Sequence, residues 1–378
     1  MKSLKKLAAA LFVCGIFQTA VFALDGGALL ANDSTFKTNK DQKYYLNQKD
    51  VFTAWVKVPF ADSTENYFIS EALYKFEYNQ NIKQMFNYVD LNLCKVNYVL
   101  HFDEDQLKLE GGRFYTSALS PIVYSQNADG IKASYKNKLL TASAFMGYTG
   151  LLNGNIVKMV NAFDYTLLDT KKVYSLQDKY FVTIDGVTFG NLFYNQSIGI
   201  QFTGAFRLNE VANTKMYATL LMKGPLTSNL IYNLDATAEL SKYGNHEFNF
   251  SMLGRLVLGY YFNKGSVTAN VIYASEKFNA VTSHCALDCA SEPEYNNLFK
   301  AGLSGTYKPL DNLMFSAGAD IAMDVKKFYE MKGFQYNVAA KYQVLSDVEL
   351  GLKWNQYFDF NKSEVNFNSI SAVVKIAF

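Results

Sequence analysis

Polar and apolar residues exchange places with a period of two along most of this chain, and that rhythm limits the fold more than any single motif. The last fifteen residues, Glu364 to Phe378, show it plainly. Ile370, Ala372, Val374, Ile376 and Phe378 make an unbroken apolar face, and Ser369, Ser371 and Lys375 lie on the other. Successive side chains of a strand point to opposite faces, so such a segment is greasy on one side and wet on the other. Leu230 to Ser241 repeats the pattern, with Leu234, Ala236 and Leu240 set against Asn233, Asp235, Thr237 and Glu239. Phe248 to Phe262 and Phe334 to Val344 do the same. Further versions occur at 130–136, 139–149, 197–208, 215–224, 266–275, 298–308, 313–324 and 348–357. Rougher ones lie at 51–60, 67–78, 88–102 and 106–115, and 179–189 reads as a strand without assignable faces.

These seventeen segments, with no amphipathic helix long enough to cover a sheet, predict an all-β chain. Pro59, Pro121, Pro225, Pro293 and Pro309 all fall at segment ends or in connections, where no ladder donor is lost. About twelve residues tilted by roughly 40° span about 30 Å, the height of a bilayer's apolar band. The pattern therefore predicts a transmembrane, antiparallel, up-and-down β-barrel. Connections alternate between tight (137–138, 262–265, 309–312, 345–347) and longer (153–178, 276–297, 325–333, 359–363). Short turns face the periplasm in outer-membrane barrels, so the final strand runs inward and, counting back, so does 51–60. One more strand must precede it, and Gly26 to Thr35 is the only material, with 36–49 as the first outer loop. The count is then eighteen strands, with sixteen as the alternative if two rough early segments are one.

Residues 1–23 have the layout of a secretory signal, with Lys2, Lys5 and Lys6 before an apolar run and Val21-Phe22-Ala23 at the cleavage position. A lipoprotein reading through Leu11-Phe12-Val13-Cys14 is weaker, because Val is a poor residue before the modified Cys. Residues 24–378 then form a single barrel domain with long outer loops at about 115–128, 153–178 and 276–297. No apolar run of about eighteen residues follows Ala23, so no transmembrane helix is expected. Losing three lysines turns 36 basic against 34 acidic residues into 33 against 34, which argues against nucleic acid as a partner. Cys285 and Cys289 predict a small loop disulfide in an oxidising compartment, and Cys94 stands alone. His284 and Asp288 lie beside that pair, but with no second cluster neither a metal nor any cofactor is expected.

The closing aromatic, Phe378, on an alternating strand resembles the carboxy-terminal signature of outer-membrane β-barrel proteins. That resemblance implies a bacterial outer-membrane location, contact with its lipid, and a strand read by the barrel assembly machinery through edge pairing. A second resemblance lies at Leu109 to Tyr135. Gly112-Arg113 closes one strand, a loop with Pro121 follows, and Asp129-Gly130-Ile131 opens the next. This is similar to the arrangement in porins and related substrate-selective channels. By strict alternation Arg113 would share the lipid side with Leu107 and Leu109, and Gly111-Gly112 is the obvious place for a bulge that resets it.

The chain has three arginines, Arg113, Arg207 and Arg255. An Arg facing mid-bilayer lipid costs about 2–4 kcal/mol, so all three are expected in the lumen. The same parity makes Glu71, Asp235, Glu239, Asp320 and Asp324 pore-lining acids, and Lys75, Lys132, Lys341 and Lys353 pore-lining bases. Basic and acidic walls facing each other would orient a solute. The apolar residues of 153–178 suit a loop folded into or over the mouth, with 115–128 as the competing constriction. His101, His246 and His284 are the only histidines, and no Ser-His-acid set falls on adjoining strands, so no enzyme is expected. The expected function is a porin-like channel for passive diffusion of small hydrophilic solutes or ions. The alternative is a surface adhesin or antigen whose barrel is only an anchor. The number of chains per assembly is left open.

Overall fold

The computed structural model describes residues 24–38, 43–61, 63–81, 83–149, 180–207, 213–282, 295–327, 330–360 and 366–378. The first six strands are β1 (Asp25–Thr38), β2 (Tyr44–Phe60), β3 (Ser63–Asn79), β4 (Gln84–Phe102), β5 (Asp105–Ser117) and β6 (Ser125–Lys136). Then come β7 (Leu140–Tyr148), β8 (Tyr180–Phe189), β9 (Ser197–Arg207), β10 (Asn213–Pro225), β11 (Leu230–Tyr243) and β12 (Asn249–Phe262). The last six are β13 (Gly265–Ala274), β14 (Leu298–Leu310), β15 (Leu313–Asp324), β16 (Glu330–Leu345), β17 (Val348–Asp359) and β18 (Phe367–Ala377). Every strand pairs antiparallel with its sequence neighbours, and β1 pairs with β18 to close an 18-stranded barrel. Among the described residues no helix is long and apolar enough to cross a membrane.

The closing seam is the strand that parity demanded. Leu29 to Lys37 pair with Ala377 to Ser369, and beyond them the Phe378 N–H donates to Ala28 O at 2.8 Å. The first connection is much shorter than 36–49, because Tyr44 to Lys49 stay in register with Thr38 to Asp33. Backbone ladder bonds continue there although the side-chain pattern has faded. The same holds at 115–128, where the ladder runs to Ser117↔Ser125 and only 118–124 is loop. Residues 1–23, the 153–178 segment and Cys285 and Cys289 lie outside the described residues.

Alternation sorts the side chains. On β16, Val338, Tyr342 and Val344 are exposed on the outer wall and Gln335 is buried inside. On β11, Asp235, Thr237, Glu239 and Ser241 are all buried inside, and Leu234 and Leu240 are exposed outside. Two elements break the rule for physical reasons. On β4 the register to β3 jumps between Glu71↔Leu93 and Ala72↔Leu91, so Asn92 is an extra residue and the faces swap across it. On β8 both faces are apolar, since Tyr180, Val182 and Ile184 are buried inside while Phe181 and Phe189 are exposed outside. An inner face of that kind needs an apolar cover, and the cover comes from loops.

Candidate constriction

Two connections at the long-loop rim fold into the barrel. The 118–124 loop, between β5 and β6, buries Ala118, Ile122, Val123 and Tyr124. The segment after β13 buries Phe278, Ala280 and Val281. Both are too apolar to stand in water, and the inner faces of β8 (Tyr180, Val182) and β10 (Tyr217) give them a dry partner. Tyr217 and Phe278 pack ring edge to face at 6.3 Å. Burial holds the Tyr124 phenol far above its ordinary titration range, so it stays neutral.

The two loops are bonded to each other and to the wall. Val281 N–H donates to Val123 O at 2.9 Å, and Ser125 N–H to Thr282 Oγ1 at 3.1 Å. Thr282 Oγ1 in turn donates to Gln126 Oε1 at 2.9 Å. Leu119 N–H reaches Gln201 Oε1 on β9 at 2.6 Å. On the other side Lys215 Nζ on β10 donates to Asn279 Oδ1 and Ala280 O, both at 3.0 Å. Glu239 Oε2 on β11 accepts from Asn279 N–H at 2.8 Å and Ser251 Oγ at 2.5 Å, and Tyr217 Oη–H donates to Asn279 O. The result is a continuous strap from β5–β6 to β13–β14, tied down on β9, β10 and β11. Lys215 and Glu239 are 0% exposed beneath it.

The Gly-Arg and Asp-Gly pairs form one structure. Gly112 lies opposite Gly130 and Arg113 opposite Asp129. Gly112 has φ +122°, and a Cβ there would sit 2.2 Å from Cys94 O; one on Gly130 would sit 2.3 Å from Met146 O. This local break turns Arg113 inward out of strict alternation. Its guanidinium holds Asp129 in a two-pronged pair, Nε to Oδ1 at 2.8 Å and Nη2 to Oδ2 at 2.6 Å. Nη1 donates to Leu91 O at 3.2 Å and lies 3.6 Å from Asp90 Oδ1. Arg113 is 5% exposed, so the fork ties β4, β5 and β6 together below the 118–124 loop.

The other expected site residues spread around the inner wall. Arg255 Nε donates to Asp235 Oδ2 at 2.7 Å, with Asp235 fully buried. Asp320 pairs with Lys300 at 3.3 Å and Asp324 with Lys332 at 3.7 Å. Lys75 pairs with Glu77, and Glu71 accepts from the bulged Asn92 at 2.5 Å. Lys132 stands in register with Glu110, which bonds Lys95 at 2.5 Å. Arg207 ends β9, half-buried near Lys215. Lys341 and Lys353 are exposed on β16 and β17. Most of these charges thus pair with an opposite charge on the same or an adjacent strand and are neutralised locally, which differs from the expected pair of opposed walls. Glu239 anchors the strap, with no exposed surface. Sequence reasoning missed Lys215, Tyr217, Gln201 and Asn279, although the apolar run Phe278 to Val281 carried the same signal used for 153–178.

A closed, eighteen-stranded, up-and-down barrel with inward loops is a class seen among membrane-spanning pores. Several solved structures from Pseudomonas aeruginosa resemble this chain over almost its full length. OpdL is 12% identical with a TM-score of 0.62, covering 94% of this chain and 99% of its own. OpdO matches with a TM-score of 0.62 and 12% identity, over 94% and 96%. The outer membrane protein OpdK, also crystallised with vanillate, matches at 11% identity, over 94% and 98%, with TM-scores of 0.60 and 0.59. At these identities the likeness is one of fold. No protein-family model and no curated relative matches the chain by sequence.

Proposed function

We propose that this protein is a porin-like channel of the bacterial outer membrane, for passive diffusion of small hydrophilic solutes or ions. One observation carries the reading: the barrel interior is narrowed by its own two loops, strapped together and to the wall. The strap lies against β9 to β11, and the inward Lys341 and Lys353 remain exposed on β16 and β17. Eighteen strands enclose more space than their own side chains fill. The solute path is proposed along that remaining side. Pore-lining roles follow for Arg255, Asp320, Lys341 and Lys353, whereas Asp235 and Glu239 act through the groups they hold. In this compartment Cys285 and Cys289 are proposed to form a disulfide, and the β18 edge ending at Phe378 to be the segment read during assembly.

The test is electrophysiological. Purified protein in a planar bilayer is expected to give steady conductance, and a salt gradient to give a reversal potential that shifts in Arg255→Ala toward cations. An unchanged reversal potential removes Arg255 from the constriction, and a silent membrane removes the channel. Vanillate, present in one OpdK structure, is the first organic probe to try for block of the current.

A further inference from the structure

The 118–124 loop meets the wall at a place shaped to receive it. Thr188, Gly199 and Leu221 stand in register on the inner faces of β8, β9 and β10. Gly199 is buried and is the third residue of β9. A Cβ at that position would lie 3.0 Å from Leu119 Cδ1, 2.9 Å from Thr188 Oγ1 and 3.5 Å from Leu221 Cβ. The glycine therefore leaves a notch between its two neighbours, and the Leu119 side chain ends in it. Its backbone lies outside the left-handed region, so space and not conformation requires a glycine here. The next inward residue on the same strand, Gln201, accepts the Leu119 N–H at 2.6 Å. Gln201 has a glycine of its own. Gly186 lies opposite it on β8, and a Cβ there would sit 3.1 Å from Gln201 Cβ and Cγ. Backbone and side chain of one loop residue are thus both fitted to β9.

We propose that the contact between Leu119 and Gly199 sets the width of the channel, and with it the largest solute that passes. Thr188 and Leu221 are fixed by the ladders that join β8, β9 and β10, whereas Leu119 belongs to a connection that has wall on one side and lumen on the other. Added bulk at position 199 is therefore relieved by moving Leu119, because a close-packed site yields toward free space. The loop moves as a piece. Ala118 N–H donates to Tyr124 O at 2.9 Å and Val123 N–H to Ser120 O at 3.0 Å, so 118–124 is one compact turn. Val281 N–H on Val123 O carries the second half of the strap with it. Seated in the notch, the loop leaves the side with Lys341 and Lys353 at its full width. Lifted off the notch, it narrows that side. The inference rests on the channel reading given above and adds to it the two residues that fix the size limit.

The experiment uses the full-length protein in planar bilayers, with heat-modifiable gel mobility as the control for folding. Gly199→Val is expected to fold and to lower the single-channel conductance by about half or more, with smaller neutral polyethylene glycols excluded than in the wild type. Combining it with Leu119→Ala is expected to restore both conductance and exclusion limit, because the shortened side chain removes the collision. Such coupling is the signature of two residues in contact, and a general weakening of the wall is not repaired by trimming a loop side chain. If Gly199→Val fails to fold, Gly199→Ala takes its place. It asks Leu119 to shift by only a few tenths of an ångström, so a smaller fall with the same repair is expected. A folded variant with wild-type conductance overturns the inference, as does a lowered conductance that Leu119→Ala fails to restore. In both cases the wild type still conducts. A silent wild type overturns the channel reading itself.

Discussion

At the residue scale, Gly112 and Lys215 show opposite limits of what a sequence displays. Gly112 precedes an Arg that alternation would aim at lipid, and an Arg there is costly enough to demand a break. Two adjacent glycines supply it, so Arg113 and its inward turn were legible from a few residues. Replacing Gly112 by Ala forces a Cβ toward Cys94 O at φ +122°. A loss of about 1–3 kcal/mol is expected, measured as a lower midpoint in urea unfolding of the liposome-inserted protein. Lys215 gave no such signal. It reads as one more inward polar residue, and its cover arrives from Asn279 and Ala280, 64 and 65 positions away. Lys215→Met leaves Asn279 Oδ1 and Ala280 O without their donor and Glu239 without its nearby cation. A destabilisation of about 2–3 kcal/mol is expected, along with a larger and noisier single-channel current.

At the element scale, strand existence was far easier to read than strand ends or strand faces. β1 has weak alternation, since Asn32 and Ser34 share a face with Leu30 and Phe36, yet parity required a strand there. β8 gave no faces because its inner side is apolar, and it is apolar because the 118–124 loop and the segment around Phe278 lie over that part of the wall. Such information is non-local and cannot appear in a two-residue period. The strap should act as one element, because Val123 O receives the backbone N–H groups of both Val281 and Thr282. Replacing 119–123 by a two-residue turn is expected to leave the barrel folded, by heat-modifiable gel mobility. It should also free the Phe278–Thr282 segment, seen as faster proteolysis after Lys277.

At the scale of the whole molecule, the barrel is a hoop with no spare strand. Removing residues 24–38 would leave β2 and β18 with unpaired backbone groups at bilayer depth, and each such group costs several kcal/mol in lipid. That truncation is expected to yield no folded, heat-modifiable protein, and a stable seventeen-stranded product would contradict the closure argument. Fold class and strand number were open to the sequence because alternation and connection length are repeated signals that check one another. The constriction was named only as one of two candidate loops, since which loop turns inward depends on the shape of a distant wall. In the function proposed above this hoop conducts, and its own loops set how much. The most direct measurement is single-channel current in a planar bilayer for the wild type and the 119–123 replacement, side by side. Steady conductance that rises by about twofold or more on removing the loop is the result predicted for a barrel of this width. Two folded barrels that both leave the bilayer silent would contradict it.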